Sequence, residues 1–332
     1  MRKVGYGFYG KDIWTDRYQR RTPAFLIRLL TGYWLEKISG LELIDAPVIQ
    51  TGEYSPYQPK RKSCVVAIQR DEANLDEWAR WHLDICGFDA VFLFNDRCPK
   101  HVFPEKLKDR VFQTEALEDG AYGGKQLTSY NAWLYSSEAD DYDIAAFIDL
   151  DEYINLHGKT VEEYMYGKDS PVIGLNWVFY GSKILGNWPA DSLAKRFRHR
   201  ARRPDGHVKP ILALDKLRQF YGLMFYFDSP YCLGARDGAG NAAVVPALLE
   251  NGAEAESDYA EITFDPADAP YLAHYYAKTE EEFRLKVEKG RVDIPQCSAQ
   301  QFSMLGGEGL DDLRRVYDLS EVYDDEIARK LW

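Results

Sequence analysis

Three kinds of motif are missing from this 332-residue chain, and each absence excludes a class of protein. The GxGxxG spacing at Gly5, Gly7 and Gly10 precedes every predicted strand, so no such fingerprint follows a strand, and no Walker-type phosphate loop occurs; this argues against dinucleotide-dependent dehydrogenases and P-loop enzymes. The five cysteines are scattered without a CxxC pair, which argues against a zinc knuckle or a disulfide framework and favours a reducing compartment. No apolar run reaches the ~18 residues of a membrane span, and no signal-peptide pattern opens the chain, so we expect a cytoplasmic protein.

Negative charge exceeds positive charge, and the positive charge is unevenly distributed. The net charge is −12, which argues against non-specific binding of nucleic acid. Residues 1–62 nevertheless hold 11 Lys and Arg against 6 Asp and Glu, a net charge of +5 ahead of an acidic body. Within them, residues 23–38 have apolar side chains at helical spacing, which suits either a helix packed on the protein body or a peripheral contact with a membrane surface.

From residue 63 onward, short apolar strands alternate with amphipathic helices. The first helix presents Leu75, Trp78 and Leu83 on one side, and Gly87 ends it. The β-α-β-β-α-β order predicts an α/β domain of the Rossmann-like type, with a mainly parallel, doubly wound sheet. The predicted elements are strands 64–68, 90–94 and 110–112, a strand that starts at 145, and helices 72–86 and 125–138.

The same pattern divides the chain into three parts. A basic, aromatic N-terminal extension spans residues 1–60, one α/β domain spans 61–295, and an acidic helical tail spans 296–332 with helices at 310–316 and 321–331. The sequence leaves open whether the tail packs on the domain, forms a dimer contact or covers the acceptor side of a site. It also leaves the oligomeric state open.

The stretch 145–154, AAFIDLDEYI, carries the strongest chemical signal in the chain. An apolar strand ends there in Asp149, Asp151 and Glu152. Alternation along a continuing strand would put Asp149 and Asp151 on one face, where their charges repel unless a cation lies between them. A hard divalent cation would remove that repulsion, although acidic residues also simply mark strand ends before solvated turns.

Other polar residues follow the predicted strands at the same end. Ligands of doubly wound sheets bind beyond the carboxyl ends of the strands. Because the chain has no glycine-rich phosphate loop, a diphosphate bound there must be held by metal and side chains. The polar residues at these ends are Gln69, Arg70 and Glu72 after the first strand, and Asn95 and Asp96 after the second. Of these, Glu72 and Asp96 are placed to accept hydrogen bonds from the base or ribose of a nucleoside.

A series of short motifs runs in order from about residue 63 to 293. They are IQRDE at 68–72 with Glu77, Trp78, His82, Gly87 and Phe88; Gln126 and Tyr130; FIDLDEY at 147–153; LNWVFYGS at 175–182; KRF at 195–197; VKPI at 208–211; and HYYAKT at 274–279 with Phe283, Lys286, Gly290 and Arg291. This ordered set resembles nucleotide-sugar glycosyltransferases, in particular the family 2-like group related to family 92.

The resemblance implies a GT-A fold, a nucleoside-diphosphate sugar donor, expected to be a UDP-sugar, and a Mn²⁺ or Mg²⁺ ion. In that family the acidic strand-end motif meets the metal ion and the donor diphosphate. This implies Asp149 and Asp151 as metal-site residues, with Asp151 the more direct ligand. His274 matches a late histidine that is either a further metal ligand or a structural hydrogen-bonding residue, and Glu152 would support the site or touch a sugar hydroxyl as a catalytic candidate.

The resemblance also implies a set of donor-binding residues. Arg70, Lys209 and Lys278 are expected to contact phosphates, whereas Lys195 and Arg196 are read first as solvated surface charge. The full donor-binding set is Gln69, Arg70, Glu72, Asn95, Asp96, Gln126, Asp149, Trp177, Lys209 and Lys278.

The sequence constrains the aromatic residues of the site and the catalytic base less closely. Trp177 and Tyr180 would form either a stacking wall for a sugar or part of the core. An inverting transferase needs a carboxylate base near the acceptor hydroxyl, and no motif selects one. Asp237 is the first candidate, and Asp215 and Asp228 are the alternatives.

The sequence therefore favours a metal-dependent, inverting glycosyltransferase that acts on a glycan or lipid-linked glycan in bacterial surface polysaccharide synthesis. A sugar nucleotidyltransferase is one alternative, although such enzymes usually carry a glycine-rich, basic loop where this chain has QRDE at 69–72. A non-catalytic glycan- or membrane-binding module on the same fold is another, and it predicts no dependence on metal.

Overall fold

The computed structural model describes residues 62–118, 125–134, 136–166, 172–182, 192–205, 208–214, 265–289, 314 and 317–332. The chain divides after residue 57, and every described residue belongs to the unit 58–332. The predicted extension 1–60 with its helix 23–38 lies outside the described residues, as does most of the predicted helix 310–316.

Four parallel strands form the centre of the sheet. They are β1 (Ser63–Gln69), β2 (Ala90–Asn95), β3 (Val111–Glu115) and β4 (Ile144–Phe147), in the order β3-β2-β1-β4. All seven residues of β1 are buried, as expected for a parallel strand covered on both faces. Burial on both faces of the sheet therefore explains the unbroken apolar runs in the sequence, as the predicted fold requires.

Helices cover both faces of this centre. On one face lies α1 (Leu75–Arg80), which continues as a π-helical turn (Trp81–Ile85) and buries Trp78 in the same cluster as Val65. On the other face lies α2 (Lys125–Leu134), which buries Trp133 in a cluster with Val66. The predicted doubly wound α/β domain is confirmed.

Strands that are mostly antiparallel to their neighbours extend the sheet beyond β4, although β6 and β9 run parallel to each other. The further strands are β5 (Glu152–Asn155), β6 (Val172–Gly181), β7 (His199–Arg200), β8 (Val208–Ala213), β9 (Tyr271–His274) and β10 (Val322–Tyr323). β8 pairs with β4, β6 with β8, and β9 lies between β5 and β6. The remaining helices are α3 (Val161–Met165), α4 (Leu193–Arg196), α5 (Glu280–Lys289) and α6 (Glu326–Leu331). A parallel core with antiparallel additions is consistent with the expected Rossmann-like GT-A class.

The acidic stretch is not one continuous strand, so the alternation argument was wrong in its premise. β4 ends at Phe147, β5 begins at Glu152, and the residues between them form a turn. The turn is closed by two hydrogen bonds: the Asp149 amide donates to Glu152 Oε2 (2.7 Å), and the Glu152 amide donates to Asp149 O (3.1 Å). A carboxylate side chain thus satisfies the backbone donor that a continuing strand would have paired.

Several predicted boundaries also move. Helix α1 begins at Leu75 rather than at 72, because Glu72 Oε2 accepts the Arg70 amide hydrogen bond (2.6 Å) in the preceding turn. Helix α2 ends at Leu134 rather than at 138, and residues 136–138 form a bend and turn that leads into the short 3-10 turn Ala139–Asp141. Strand β3 begins one residue later and ends three residues later than predicted.

The C-terminal tail packs on the domain, which is one of the three arrangements the sequence left open. β10 pairs antiparallel with β7, and Arg200 Nε donates to Asp324 Oδ2 (2.7 Å). A Cβ atom at Gly181 would lie 2.7 Å from Leu319 O, so glycine permits the close approach of the tail to β6. The predicted helix 321–331 is a strand followed by the shorter helix α6.

Two further expectations can be compared with the described residues. Cys64, Cys86 and Cys98 are free thiols, as expected for a protein without a disulfide framework. Within the described ranges, no helix combines the length and the apolar character that crossing a bilayer requires.

We predict that the docking of α6 weakens as the pH rises above about 6.5. His157 Nδ1 lies 3.1 Å from Glu326 Oε2, and this contact raises the pKa of His157. Burial opposes ionisation of Glu326, but His157 and Lys330 hold the pKa of Glu326 below its usual range. The His157 contribution is therefore complete below its unfolded pKa and is lost as the pH passes its raised folded value.

Amide hydrogen exchange in α6 between pH 6 and pH 9, corrected for intrinsic rates, measures this effect. The variant His157→Gln should show little pH dependence. Equal loss of protection in both proteins would contradict the prediction.

Candidate functional site

The candidate site lies at the carboxyl edge of the parallel strands. The chain moves outward from β1 through β2 to β3 and then returns to β4 on the other side of β1. This reversal is the topological switch point at which open α/β sheets bind ligands. Asp149 and Asp151 follow β4, while Arg70 and Asp96 follow β1 and β2 at the same edge.

Asp149 is the more accessible of the two aspartates, with 34% of its side chain exposed. Gln126 Nε2 donates to its Oδ1 at 2.6 Å, and Lys209 Nζ lies 3.2 Å from its Oδ2. Gln126 reaches it from α2, and Lys209 reaches it from β8, next to β4. Three predicted site residues are therefore brought together.

Asp151 is buried and faces two different partners. Lys286 Nζ lies 2.7 Å from its Oδ2, and His274 Nε2 lies 3.5 Å from its Oδ1. Burial favours the neutral acid, but Lys286, His274 and Lys278 together outweigh that effect and hold the pKa of Asp151 well below its usual range. Asp151 is therefore an anion at neutral pH, with a lysine as its main counter-charge.

His274 is fixed by the strand register. It lies opposite Glu152 on β5 and Phe179 on β6, and its ring stacks with Phe179 (centroids 5.4 Å) and meets the edge of Trp177 (4.4 Å). Burial lowers the pKa of His274, which favours the neutral imidazole. Its Nδ1 has no hydrogen-bond partner among the described residues and lies 4.0 Å from Glu152 Oε1.

Glu152 is completely buried, and its contacts are with the neighbouring Asp149 and with His274. Its Oε2 accepts from the Asp149 amide, while Oε1 lies near His274 without a hydrogen bond in the described part of the chain. Burial, and then the charge of Asp149, raise the pKa of Glu152 well above its usual range. These contacts suit a residue that orders the turn and orients the histidine.

The donor atoms of Asp151 and His274 could share one cation. No group of three His, Cys, Asp or Glu side chains in the described ranges is arranged to hold a metal ion. Two ligands with bonds of ~2.1 Å at angles of ~90–110° are ~3.0–3.5 Å apart, and the oxygen–nitrogen separation here is 3.5 Å. The pair therefore fits a site with two protein ligands, of the kind that substrate phosphates and water complete.

A further lysine lies near Asp151, just before helix α5. Lys278 precedes the helix in a left-handed conformation (φ 44°), and its carbonyl accepts from Arg314 Nη2 at 2.9 Å. Burial lowers the pKa of Lys278. The tail residue Arg314 thus fixes the backbone of a predicted phosphate-binding lysine.

A second cluster follows β1 and β2. Asp96 is buried between Arg70 (Nε to Oδ2, 2.5 Å) and Lys125 (Nζ to Oδ1, 3.0 Å). Burial raises its pKa, but the two cations outweigh that effect and lower the pKa of Asp96. Beside it, Gln69 Nε2 donates to Asn95 Oδ1, and Asn95 Nδ2 has no partner among the described residues. This polar cluster lies at the ends of β1 and β2, and β1 is the strand next to β4, which Asp149 and Asp151 follow.

The remaining candidates differ in their contacts. Tyr180 is a core residue that hydrogen-bonds Tyr271 (2.8 Å), while Trp177 is half-buried beside His274. Arg196 makes a buried two-point pair with Glu282 (2.8 and 2.9 Å), and Lys195 lies over the Trp332 ring. The candidate bases Asp237, Asp215 and Asp228 lie outside the described residues.

Two site residues had no role in the sequence prediction. Lys286 lies within the resembling motif, but nothing local marks it as the partner of Asp151, 135 positions away. Lys125 begins α2, and its contact with Asp96 spans 29 positions. Sequence patterns report local periodicity, so pairs at such separations escape them.

We predict that Asp96→Asn lowers the free energy of unfolding by about 3 kcal/mol, the low end for a broken buried ion pair. Lys125 is only 6% exposed and would lose its buried partner, although Glu118 remains 3.0 Å from it. Denaturant unfolding measures the loss. Glu118→Gln removes the 84%-exposed partner of the same lysine and should cost under about 1 kcal/mol. Equal costs would contradict the assignment.

The comparisons with known proteins are partial. No protein-family model matches the chain, and no curated protein matches it. Similar solved structures include the mannosyltransferase Ktr4p from S. cerevisiae, at 13% identity over 52% of each chain (TM-score 0.23). They also include S. aureus TarS, at 16% identity over 78% of this chain and 44% of that chain (TM-score 0.30). The chain spans about half the length of the structures it matches, and likeness at this level leaves its function to be argued from its own site.

Proposed function

We propose that this chain is a glycosyltransferase that binds a nucleoside-diphosphate sugar at the carboxyl edge of β1 and β4. The observation that carries the proposal is the buried Asp151 anion, flanked by Lys286 and His274 at the switch point of the sheet. Functional sites are where buried charges with specific partners concentrate. Several of the motifs that resemble nucleotide-sugar glycosyltransferases supply residues to this point, namely Gln126, Asp149, Asp151, Lys209, His274 and Lys286.

The chemistry of the site suits a diphosphate. Lys209, Lys278 and Lys286 converge near the two aspartates, and ammonium groups neutralise phosphate charge as point charges. Trp177, half-buried beside His274 with Lys209 Nζ 6.0 Å from its ring, offers an aromatic face for a sugar. In the polar cluster after β1 and β2, Asn95 Nδ2, which has no partner among the described residues, suits the base or ribose of the nucleotide.

A divalent cation, Mn²⁺ or Mg²⁺, is part of the proposal. Asp151 and His274 Nε2 would hold it, Asp149 would help to neutralise it, and as a Lewis acid it would stabilise charge on the leaving diphosphate. Metal-bound histidines usually donate their other ring N–H to a carboxylate. Glu152 Oε1, 4.0 Å from the unpartnered Nδ1, stands at that position, so we assign Glu152 a positioning role.

The reaction transfers a glycosyl group. The oxygen of an acceptor hydroxyl forms a bond to the anomeric carbon, and the bond from that carbon to the diphosphate oxygen breaks. The electron pair leaves with the nucleoside diphosphate, and the hydroxyl proton passes to a carboxylate base, for which Asp237 is the first candidate. Inversion, a UDP-sugar donor, a glycan or lipid-linked glycan acceptor and a role in bacterial surface polysaccharide synthesis extend the same proposal.

We predict that one nucleoside diphosphate raises the unfolding temperature only in the presence of Mn²⁺. A ligand at 100 times its Kd adds about 2.7 kcal/mol of stability, enough for a shift of several degrees. A thermal-shift panel of UDP-, GDP-, CMP- and dTDP-compounds and the corresponding nucleoside triphosphates, with and without Mn²⁺, measures it. Stabilisation by a nucleoside triphosphate alone would favour the nucleotidyltransferase alternative, and no shift with any compound would favour a binding module.

We predict that Asp151→Asn lowers turnover by about 10²–10³-fold, the effect of losing one electrostatic contact to the transition state. The change removes charge at nearly constant volume, so the fold should persist. Donor hydrolysis and sugar transfer provide the measurement. Asp84→Asn removes the same charge at an exposed pair with Arg110 (2.9 Å) and should leave turnover unchanged. Full activity of the Asp151 variant would contradict the proposed site.

A further inference from the structure

The negative charge of Asp151 is already paired with the ammonium group of Lys286. Its Nζ lies 2.7 Å from Oδ2, whereas Oδ1 faces His274 Nε2 at 3.5 Å. Asp149 likewise has its own lysine, Lys209, at 3.2 Å. Each carboxylate of the acidic turn therefore has an ammonium partner within the protein, and a divalent cation that arrived alone would add two uncompensated positive charges.

The backbone that carries Lys286 is firmly anchored. Thr279 and Glu282 form a reciprocal cap at the start of α5: Thr279 N donates to Glu282 Oε2 (3.1 Å), and Glu282 N donates to Thr279 Oγ1 (3.2 Å). Glu282 also holds the guanidinium of Arg196 through two hydrogen bonds. The helix is therefore fixed one turn before Lys286, and any change in the lysine contact must come from its side chain.

The side chain itself is free to exchange partners. A third of it is exposed (33%), in contrast to the 10% exposure of Asp151. Its Nζ lies 3.9 Å from the centroid of the Tyr276 ring, which supports the cation from a side that needs no carboxylate. A long, flexible ammonium next to solvent can turn from Asp151 toward an incoming phosphate without movement of α5.

We propose that Lys286 is an exchangeable counter-ion that couples the binding of the divalent cation to the binding of the donor diphosphate. Without nucleotide, Lys286 holds Asp151 and opposes the cation. When a diphosphate is present, its negative charges accept Lys286, and Asp151 is released to the cation. This inference rests on the proposed function and adds a mutual dependence to it: the cation and the nucleotide bind strongly only together.

The coupling has a size that can be measured. Reciprocal coupling between two ligands typically amounts to 5–150-fold in affinity. Electron paramagnetic resonance of free Mn²⁺ gives its affinity with and without UDP or GDP, after subtraction of Mn²⁺–nucleotide binding in protein-free buffer. In the unaltered protein we expect the nucleotide to tighten Mn²⁺ binding at least 5-fold.

Lys286→Met tests the origin of the coupling. It keeps the length of the side chain and removes its charge, so Mn²⁺ should bind at least 5-fold more tightly without nucleotide, and most of the coupling should disappear. Arg284→Met removes a charge from the same helix, where it pairs only with the exposed Glu280 (2.5 Å) among the contacts of the described residues, and should behave like the unaltered protein.

Three results would overturn the inference. Mn²⁺ affinity without nucleotide that is unchanged or weaker in Lys286→Met would remove the competition, and nucleotide-independent Mn²⁺ binding in the unaltered protein would do so without any variant. No Mn²⁺ binding by either protein under any condition would instead count against the proposed metal site, and with it the inference.

Discussion

The ion pair between Asp151 and Lys286 is the interaction on which the candidate site depends. A buried carboxylate is costly to desolvate, and Asp151 persists as an anion because Lys286, 2.7 Å away, stabilises it together with His274 and Lys278. The pair joins the turn after β4 to helix α5, and His274 closes it from β9. Two regions far apart in sequence, the turn after β4 and the segment that holds β9 and α5, therefore meet around one charge.

The scaffold holds these segments in place with ordinary packing. The parallel centre, covered on both faces, fixes where β4 ends, and the β5-β9-β6 register brings Glu152, His274 and Phe179 into line. The C-terminal tail completes this frame, because Arg314 holds the carbonyl of Lys278 and Tyr317 packs against Phe179 (5.0 Å) and Tyr276 (4.8 Å). Residues from the tail thus belong to the surroundings of the site.

Much of the fold could be predicted from sequence. Uninterrupted apolar runs such as β1 belong to parallel strands buried on both faces, and the order of strands and helices then leaves few topologies. The location of Asp149 and Asp151 at a strand end followed from the same pattern. Their arrangement did not, because the turn at 148–151 depends on a hydrogen bond from the Asp149 amide to the Glu152 side chain that no periodicity reveals.

Pairings across long sequence separations account for the other differences. Asp96 was expected to accept hydrogen bonds from a nucleotide, whereas Arg70 and Lys125 already occupy both of its oxygens. Arg196 is tied to Glu282 in a buried pair, so its charge serves the attachment of α5. In each case the residue type was visible in the sequence, but its partner was fixed only by the folded chain.

Anomalous diffraction from a crystal soaked with Mn²⁺ and the nucleoside diphosphate that stabilises the protein tests the central claim most directly. The account predicts one manganese peak between the Asp151 carboxylate and His274 Nε2, in contact with the diphosphate, with Lys286 turned toward the phosphates. A peak elsewhere, or bound nucleotide with Lys286 still paired to Asp151 and no manganese beside it, would contradict the account.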